Sequence, residues 1–157
     1  RELGADVPVC LAGAPAYMTG TGEIWSAMRA PPFAAVLVNP LKPLSTPLVY
    51  REFDRMNLGA DFALRQAPVW NDRAAAIAHM ALRANALSAP AQSLLPEVGD
   101  VLDALSKAAG VEYAAMSGSG ATCFALVESV AKAELLAETL RASHPDWWIV
   151  ETELGGA

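Results

Sequence analysis

Most stretches of the chain show either the alternation of a strand or the three-to-four spacing of a helix, and the clearest is the run Ala34-Ala-Val-Leu-Val38. It is continuously apolar, rich in β-branched side chains and bounded by Pro32 and Pro40, the pattern of a central strand covered on both faces. Downstream, Ser45-Thr46-Pro47 offers a hydroxyl N-cap with proline in the first turn, which predicts a helix to about Met56, ended by Asn57-Leu58-Gly59. Residues 60–70 have no clear period and read as loop. From Asn71, the positions Ala74, Ile77, Ala78, Ala81 and Leu82 recur at helical spacing and predict a helix to about Leu87. Ala89-Pro90 interrupts, and Leu94, Val98, Val101, Leu102 and Leu105 predict a second helix to Ala109, closed by Gly110. Tyr113–Ser117 and Thr122–Val127 then read as strands joined by a Gly-Ser-Gly turn. Ser129 can cap a helix through about Ala142, and Trp147–Thr152 reads as a last strand, with Trp147 and Trp148 facing opposite ways.

From residue 34 the order is therefore strand, helices, strand, strand, helix, strand. That order predicts an α+β fold, a two-layer ferredoxin-like sandwich with helices on one face of the sheet. Upstream, residues 7–13 predict a short helix closed by Gly13, and Ala16–Trp25 a hairpin turning at Gly20–Gly22. Ala30-Pro31-Pro32 breaks any regular element. We accordingly divide the chain into residues 1–32, the end of an earlier domain, and 33–157, the main domain.

With 54% apolar residues, 157 residues can bury a sizeable core. A net charge of −6 without a basic cluster repels polyanions and argues against nucleic acid as a partner. Cys10 and Cys123 lie in apolar contexts with no second cysteine or histidine at metal-ligand spacing, so they read as buried thiols of a reducing compartment. His79 and His144 lack clustered ligands and read as structural, and no metal site is expected. Tyr17, Trp25 and Trp70 read as packing residues. There is no basic-then-apolar leader and no apolar stretch long enough to span a bilayer, which predicts a cytoplasmic protein without a membrane partner. The sequence leaves a homodimer open.

Three stretches carry candidate chemistry. In Leu3-Gly4-Ala5-Asp6-Val7-Pro8, a carboxylate stands at the start of a proline-led helix, where backbone N–H groups and the helix dipole favour its ionised form. Asp6 in such a place is commonly only a cap, and that reading stands beside a catalytic one. Ser117-Gly118-Ser119-Gly120 can be a tight strand connection, or its glycines can turn successive N–H groups into one concavity that meets an anion. Ser45 and Thr46, two hydroxyls at a helix start, can bind a phosphate or simply cap.

The segments Leu3–Gly13, Leu37-Val-Asn-Pro40 with Ser45-Thr-Pro47, and Met116-Ser-Gly-Ser-Gly-Ala-Thr-Cys-Phe-Ala-Leu126 occur in this order. Together they resemble the later part of the diphosphocytidyl-methylerythritol kinases, a family within the GHMP kinase superfamily, over nearly the whole chain. The resemblance implies the superfamily's C-terminal domain. It also implies ATP-dependent phosphorylation of the 2-hydroxyl of a small cytidine diphosphate-linked methylerythritol in isoprenoid-precursor synthesis, with Mg²⁺ as counter-ion. By the same resemblance Asp6 is the base that activates the alcohol, residues 117–121 close beside the nucleotide phosphates, and Ser45 and Thr46 lie near the substrate.

Parts of the family's pattern have no counterpart here. The principal glycine- and serine-rich nucleotide loop, and the lysine that stands beside the catalytic aspartate, lie upstream in the family. The chain starts at Arg1, directly before the Asp6 turn, so it reads as a fragment that needs an upstream N-terminal kinase domain and is inactive alone. Asn85-Ala86-Leu87-Ser88 replaces an Asn-Asp-Leu-Glu type string, which puts any role of that string in doubt. Two alternatives stay open: another GHMP kinase acting on homoserine or mevalonate, and a non-catalytic ferredoxin-like binding module.

Overall fold

A computed structural model of the chain describes residues 7–20, 22, 24–59 and 66–156. The apolar run at its centre is strand β3 (Phe33–Asn39), and it pairs antiparallel on both sides, with β5 (Cys123–Val127) and with β6 (Trp148–Leu154). Strand β4 (Val111–Met116) adds to the outer edge of β5, giving the order β4-β5-β3-β6. A separate two-stranded ladder joins β1 (Ala16–Thr19) to β2 (Ile24–Ala27), and α1 (Val7–Ala12) precedes it. Gly13, at φ +59°, lets the chain leave α1, its N–H reaching back to Val9 O.

Alternation along the strands decides what covers each face. Ala34, Val36 and Val38 share one face with Cys123, Ala125 and Val127. Helices α2 (Thr46–Arg55), α4 (Ser88–Leu94), α5 (Glu97–Lys107) and α6 (Val130–Ser143) bury Val49, Ala91, Val98, Val101, Leu105, Leu136 and Leu140 against that face. This is the expected ferredoxin-like layer. Helix α3 (Arg73–Ala81) departs from the expectation that all helices lie on one side: Ala76 and its neighbours Ile77 and Met80 pack with Trp70 on Phe33, Ala35 and Leu126 of the other face. The reason is in β3 itself, whose odd positions Phe33, Ala35 and Leu37 are apolar too and also need cover. Arg73 fastens α3 to the sheet through Glu112 and the Val127 carbonyl, its guanidinium 5.2 Å from the centre of the Phe33 ring.

Several expectations are corrected. Helix α3 starts as predicted, with the Asp72 carboxylate accepting from Ala75 N at 2.8 Å, but it stops at Ala81 rather than near Leu87. Its buried stripe is Ala76, Ile77 and Met80, while Leu82 is 86% exposed. So many alanines leave the phase of the helix undefined in sequence. Pro90 does not interrupt a helix; it sits in the first turn of α4, where a missing N–H is no loss, and is buried there. Cys123 is buried, and burial pushes its thiol up to about 12, but Cys10 is exposed because the two-turn helix α1 turns that side outward. Trp25, on the hairpin, is 42% exposed rather than packed. Trp147 packs on the core and stacks on His144 at 3.8 Å, while Trp148 faces outward. His79 sets its edge on Trp70, 5.8 Å between ring centres.

Candidate functional site

The turn between β4 and β5 is held first by its own backbone: Ser117 N donates to Thr122 O at 2.9 Å and Gly120 N to Ser117 O at 3.0 Å. Gly118 and Gly120 have φ of +55° and +87°, the left-handed region that side chains rarely adopt. The two glycines differ in surroundings. Around Gly118 the space is open, so a ligand could approach its backbone, whereas a Cβ on Gly120 would meet Met116 Sδ at 2.8 Å and Leu44 Cδ2 at 3.1 Å. Gly120→Ala is therefore expected to destabilise the protein by about 1–3 kcal/mol through a strained φ and a displaced Met116. Thermal unfolding checks this against Gly118→Ala, which carries the backbone strain but no clash and should cost less.

Three side chains from elsewhere in the chain pin this loop. At the end of β3, Asn39 Nδ2 donates to Thr122 Oγ1 at 2.9 Å while Oδ1 accepts from Leu41 N at 2.8 Å. From the start of α2, the Thr46 hydroxyl meets that of Ser119, 2.7 Å between oxygens. Between α3 and α4, Asn85 Nδ2 donates to Met116 O at 2.9 Å and Gly118 O at 2.7 Å, and its Oδ1 accepts from Leu87 N at 3.0 Å. The structure thus brings together two of the predicted stretches, residues 117–120 and the start of α2, through Thr46 and Ser119.

Ser45 does occupy the N-cap of α2, but its side chain makes no capping bond; its carbonyl instead accepts from Leu48 N and Val49 N. With Pro47 following, Thr46 presents its hydroxyl to the loop. Asn39 and Asn85 were not legible as site residues: Asn39 reads as a strand terminator, and Asn85 as part of a helix that in fact ends before it. The signal was an asparagine isolated between alanines just ahead of a helix start, where its side chain can replace a backbone partner.

Asp6 lies outside the described residues; α1 begins at the residue after it. Among the described residues no charged side chain hydrogen-bonds to residues 117–122, and Gly118 N and Ser119 N have no partner. An anion there would be met by neutral N–H and hydroxyl donors. Positive φ at Gly118 and free space around it suit a phosphate group. Among the described residues no group of three His, Cys, Asp or Glu side chains converges on a metal position. A cavity of about 520 Å³ opens on the other face of the sheet between α1 and β3, against Phe33, Trp70, Phe124 and Leu126, and is mostly apolar.

The family described as "GHMP kinases C terminal" matches residues 61–146. The 4-diphosphocytidyl-2-C-methyl-D-erythritol kinase of Rhodopseudomonas palustris strain BisB18 is 42% identical over 99% of this chain and 53% of its own length. That of Paramagnetospirillum magneticum strain AMB-1 is 44% identical over 98% of this chain and 53% of its own. A crystal structure of 4-(cytidine 5'-diphospho)-2C-methyl-D-erythritol kinase superposes with a TM-score of 0.76 at 34% identity, covering 100% of this chain and 56% of that one. A Leishmania major mevalonate kinase structure, at 15% identity and a TM-score of 0.56, shares the fold over 85% of this chain and 46% of its own. The chain spans about half the length of the curated relatives it matches.

Proposed function

Because the chain belongs to the GHMP kinases and carries their C-terminal domain, we propose that it forms the later half of an ATP-dependent kinase of 4-diphosphocytidyl-2-C-methyl-D-erythritol. The observation that carries this reading is the meeting of Thr46 and Ser119, at 2.7 Å, over an open glycine turn. It gives a neutral, donor-rich surface of the kind that receives a phosphate chain, in a chain whose relatives bear that kinase name. Residues 1–32 would close the preceding domain, and residues 33–157 would form the C-terminal one.

In this reading ATP lies with its phosphates beside Gly118 and Ser119, whose free N–H groups face oxygens that gain charge during transfer. The contact between Thr46 and Ser119 steadies that side of the turn. The 2-hydroxyl oxygen of the substrate bonds to the γ-phosphorus as the bond from that phosphorus to the β–γ bridging oxygen breaks, leaving ADP. The hydroxyl proton passes to the carboxylate of Asp6 and then to water. Mg²⁺ would sit chiefly on the nucleotide phosphates, since this ion keeps several waters and takes only one or two carboxylates. In this reading the remaining nucleotide contacts would come from an upstream domain, so the 157-residue chain alone should not turn over. Among the described residues no helix is long and apolar enough to cross a membrane, and a cytoplasmic setting fits the small polar substrate.

A substrate panel tests the assignment. The chain, extended upstream of Arg1 to the length of its relatives, should phosphorylate the cytidine diphosphate substrate and leave homoserine and mevalonate untouched. Preference for either of those alcohols would retain the kinase and replace the substrate. Silence on all three from a folded protein would favour a binding module.

A further inference from the structure

We propose that Asn85 is a positioning residue for the glycine turn, setting the Gly118–Ser119 peptide plane so that Ser119 N–H faces the anion the turn receives. The inference rests on the kinase reading for the identity of that anion, but its geometry stands apart from it. In a planar trans peptide the carbonyl oxygen and the following N–H point in opposite directions. Gly118 O is held toward Asn85 at 2.7 Å, so Ser119 N–H points away from Asn85. It is left without a partner among the described residues. A flip of this plane would rotate ψ of Gly118, which glycine tolerates, and φ of Ser119, which a side chain resists, and the Asn85 bond adds to that resistance. A flip would aim a carbonyl oxygen at the anion instead of a donor.

The orientation of the Asn85 carboxamide is fixed in turn. Its Oδ1 is occupied by Leu87 N–H at 3.0 Å, and two carbonyl oxygens stand 2.7 and 2.9 Å from Nδ2, so only the amide nitrogen can face the loop. The same bonds link the start of α4 to the end of β4, which makes Asn85 one connection between the helical layer and the turn, beside that of Thr46. Thr46 holds the Ser119 side chain from the start of α2, and Asn85 holds the carbonyl oxygen of the peptide beside it.

Two variants of the extended chain separate this role from a merely structural one. Asn85→Asp keeps the acceptor for Leu87 N–H but sets a carboxylate against two carbonyls, whereas Asn85→Ala removes every bond. If Asn85 positions the turn, Asn85→Ala raises KM for ATP about tenfold with a smaller fall in kcat, and Asn85→Asp raises it at least as much. The ¹⁵N-amide resonances of Gly118 and Ser119 should also move in both variants without nucleotide. If Asn85 serves only the start of α4, both variants will match the wild type in KM for ATP, and the proposal is overturned. The amide measurement needs no turnover. Shifted resonances in a protein with no kinase activity would therefore uphold the positioning role while removing the kinase reading. Should Asn85→Ala melt early, Asn85→Asp alone decides.

Discussion

Asp6→Asn in the chain extended upstream of Arg1 should lower kcat by about 10²–10⁴-fold, the usual contribution of a positioned base. Asparagine has nearly the same shape, and as an N-cap it is as good as aspartate, so the helix that begins at Val7 is retained. What the substitution removes is the charge that, in the proposed mechanism, receives the hydroxyl proton. A lower melting temperature would indicate a structural role instead, which is why kcat and thermal unfolding belong in one experiment. The base assignment requires a large loss of kcat with a melting temperature unchanged. Undiminished turnover would leave Asp6 as a cap and place proton transfer on another group.

Leu105→Ala should produce the largest loss of stability, about 2–5 kcal/mol, which for a protein of this size lowers the melting temperature by roughly 10 °C. Leu105 is fully buried on α5, in line with Val98 and Val101, and its cluster reaches Val127 and Met116 on the sheet beneath. The two strands it supports are those that carry the glycine turn at their joined ends. Truncation leaves a void that helix and sheet cannot both close, because the helix is tied at each end to packed neighbours. Leu82→Ala provides the contrast: that side chain is 86% exposed beyond the end of α3, and its loss should change stability by less than about 0.5 kcal/mol. A comparable cost for both would mean that the α3 helix presents the stripe read from the sequence, with Leu82 inward, rather than one through Ala76 and Met80.

Where the sequence alone was enough, one signal dominated locally. The run from Ala34 to Val38 could only be a strand covered on both sides, and it is the strand paired on both edges. Ser129 before an apolar helical pattern is a cap, and its hydroxyl accepts from Lys132 N. The glycines at 118 and 120 announce a left-handed turn, and both adopt it. The failures share another cause, a partner distant in sequence. The Asn85 carboxamide bonds to residues 31 and 33 positions away. No local pattern could tell that side chain from one on a helix surface. The phase of α3 was lost because alanine is compatible with every face, so that phase is set by the sheet. Cys10 has an apolar neighbourhood in sequence, yet a two-turn helix covers only one of its sides. Thr46 was singled out for its place at a helix start, but its contact with Ser119, 73 residues on, is visible only in the fold.

The central claim is that this chain is the later half of a kinase site. Its most direct test is ATP-dependent phosphorylation of 4-diphosphocytidyl-2-C-methyl-D-erythritol, with the 157-residue chain and the same chain extended upstream of Arg1 assayed side by side. We expect turnover from the extended protein and none from the shorter chain. No turnover from an extended protein shown to be folded, or equal turnover from both, would contradict the account.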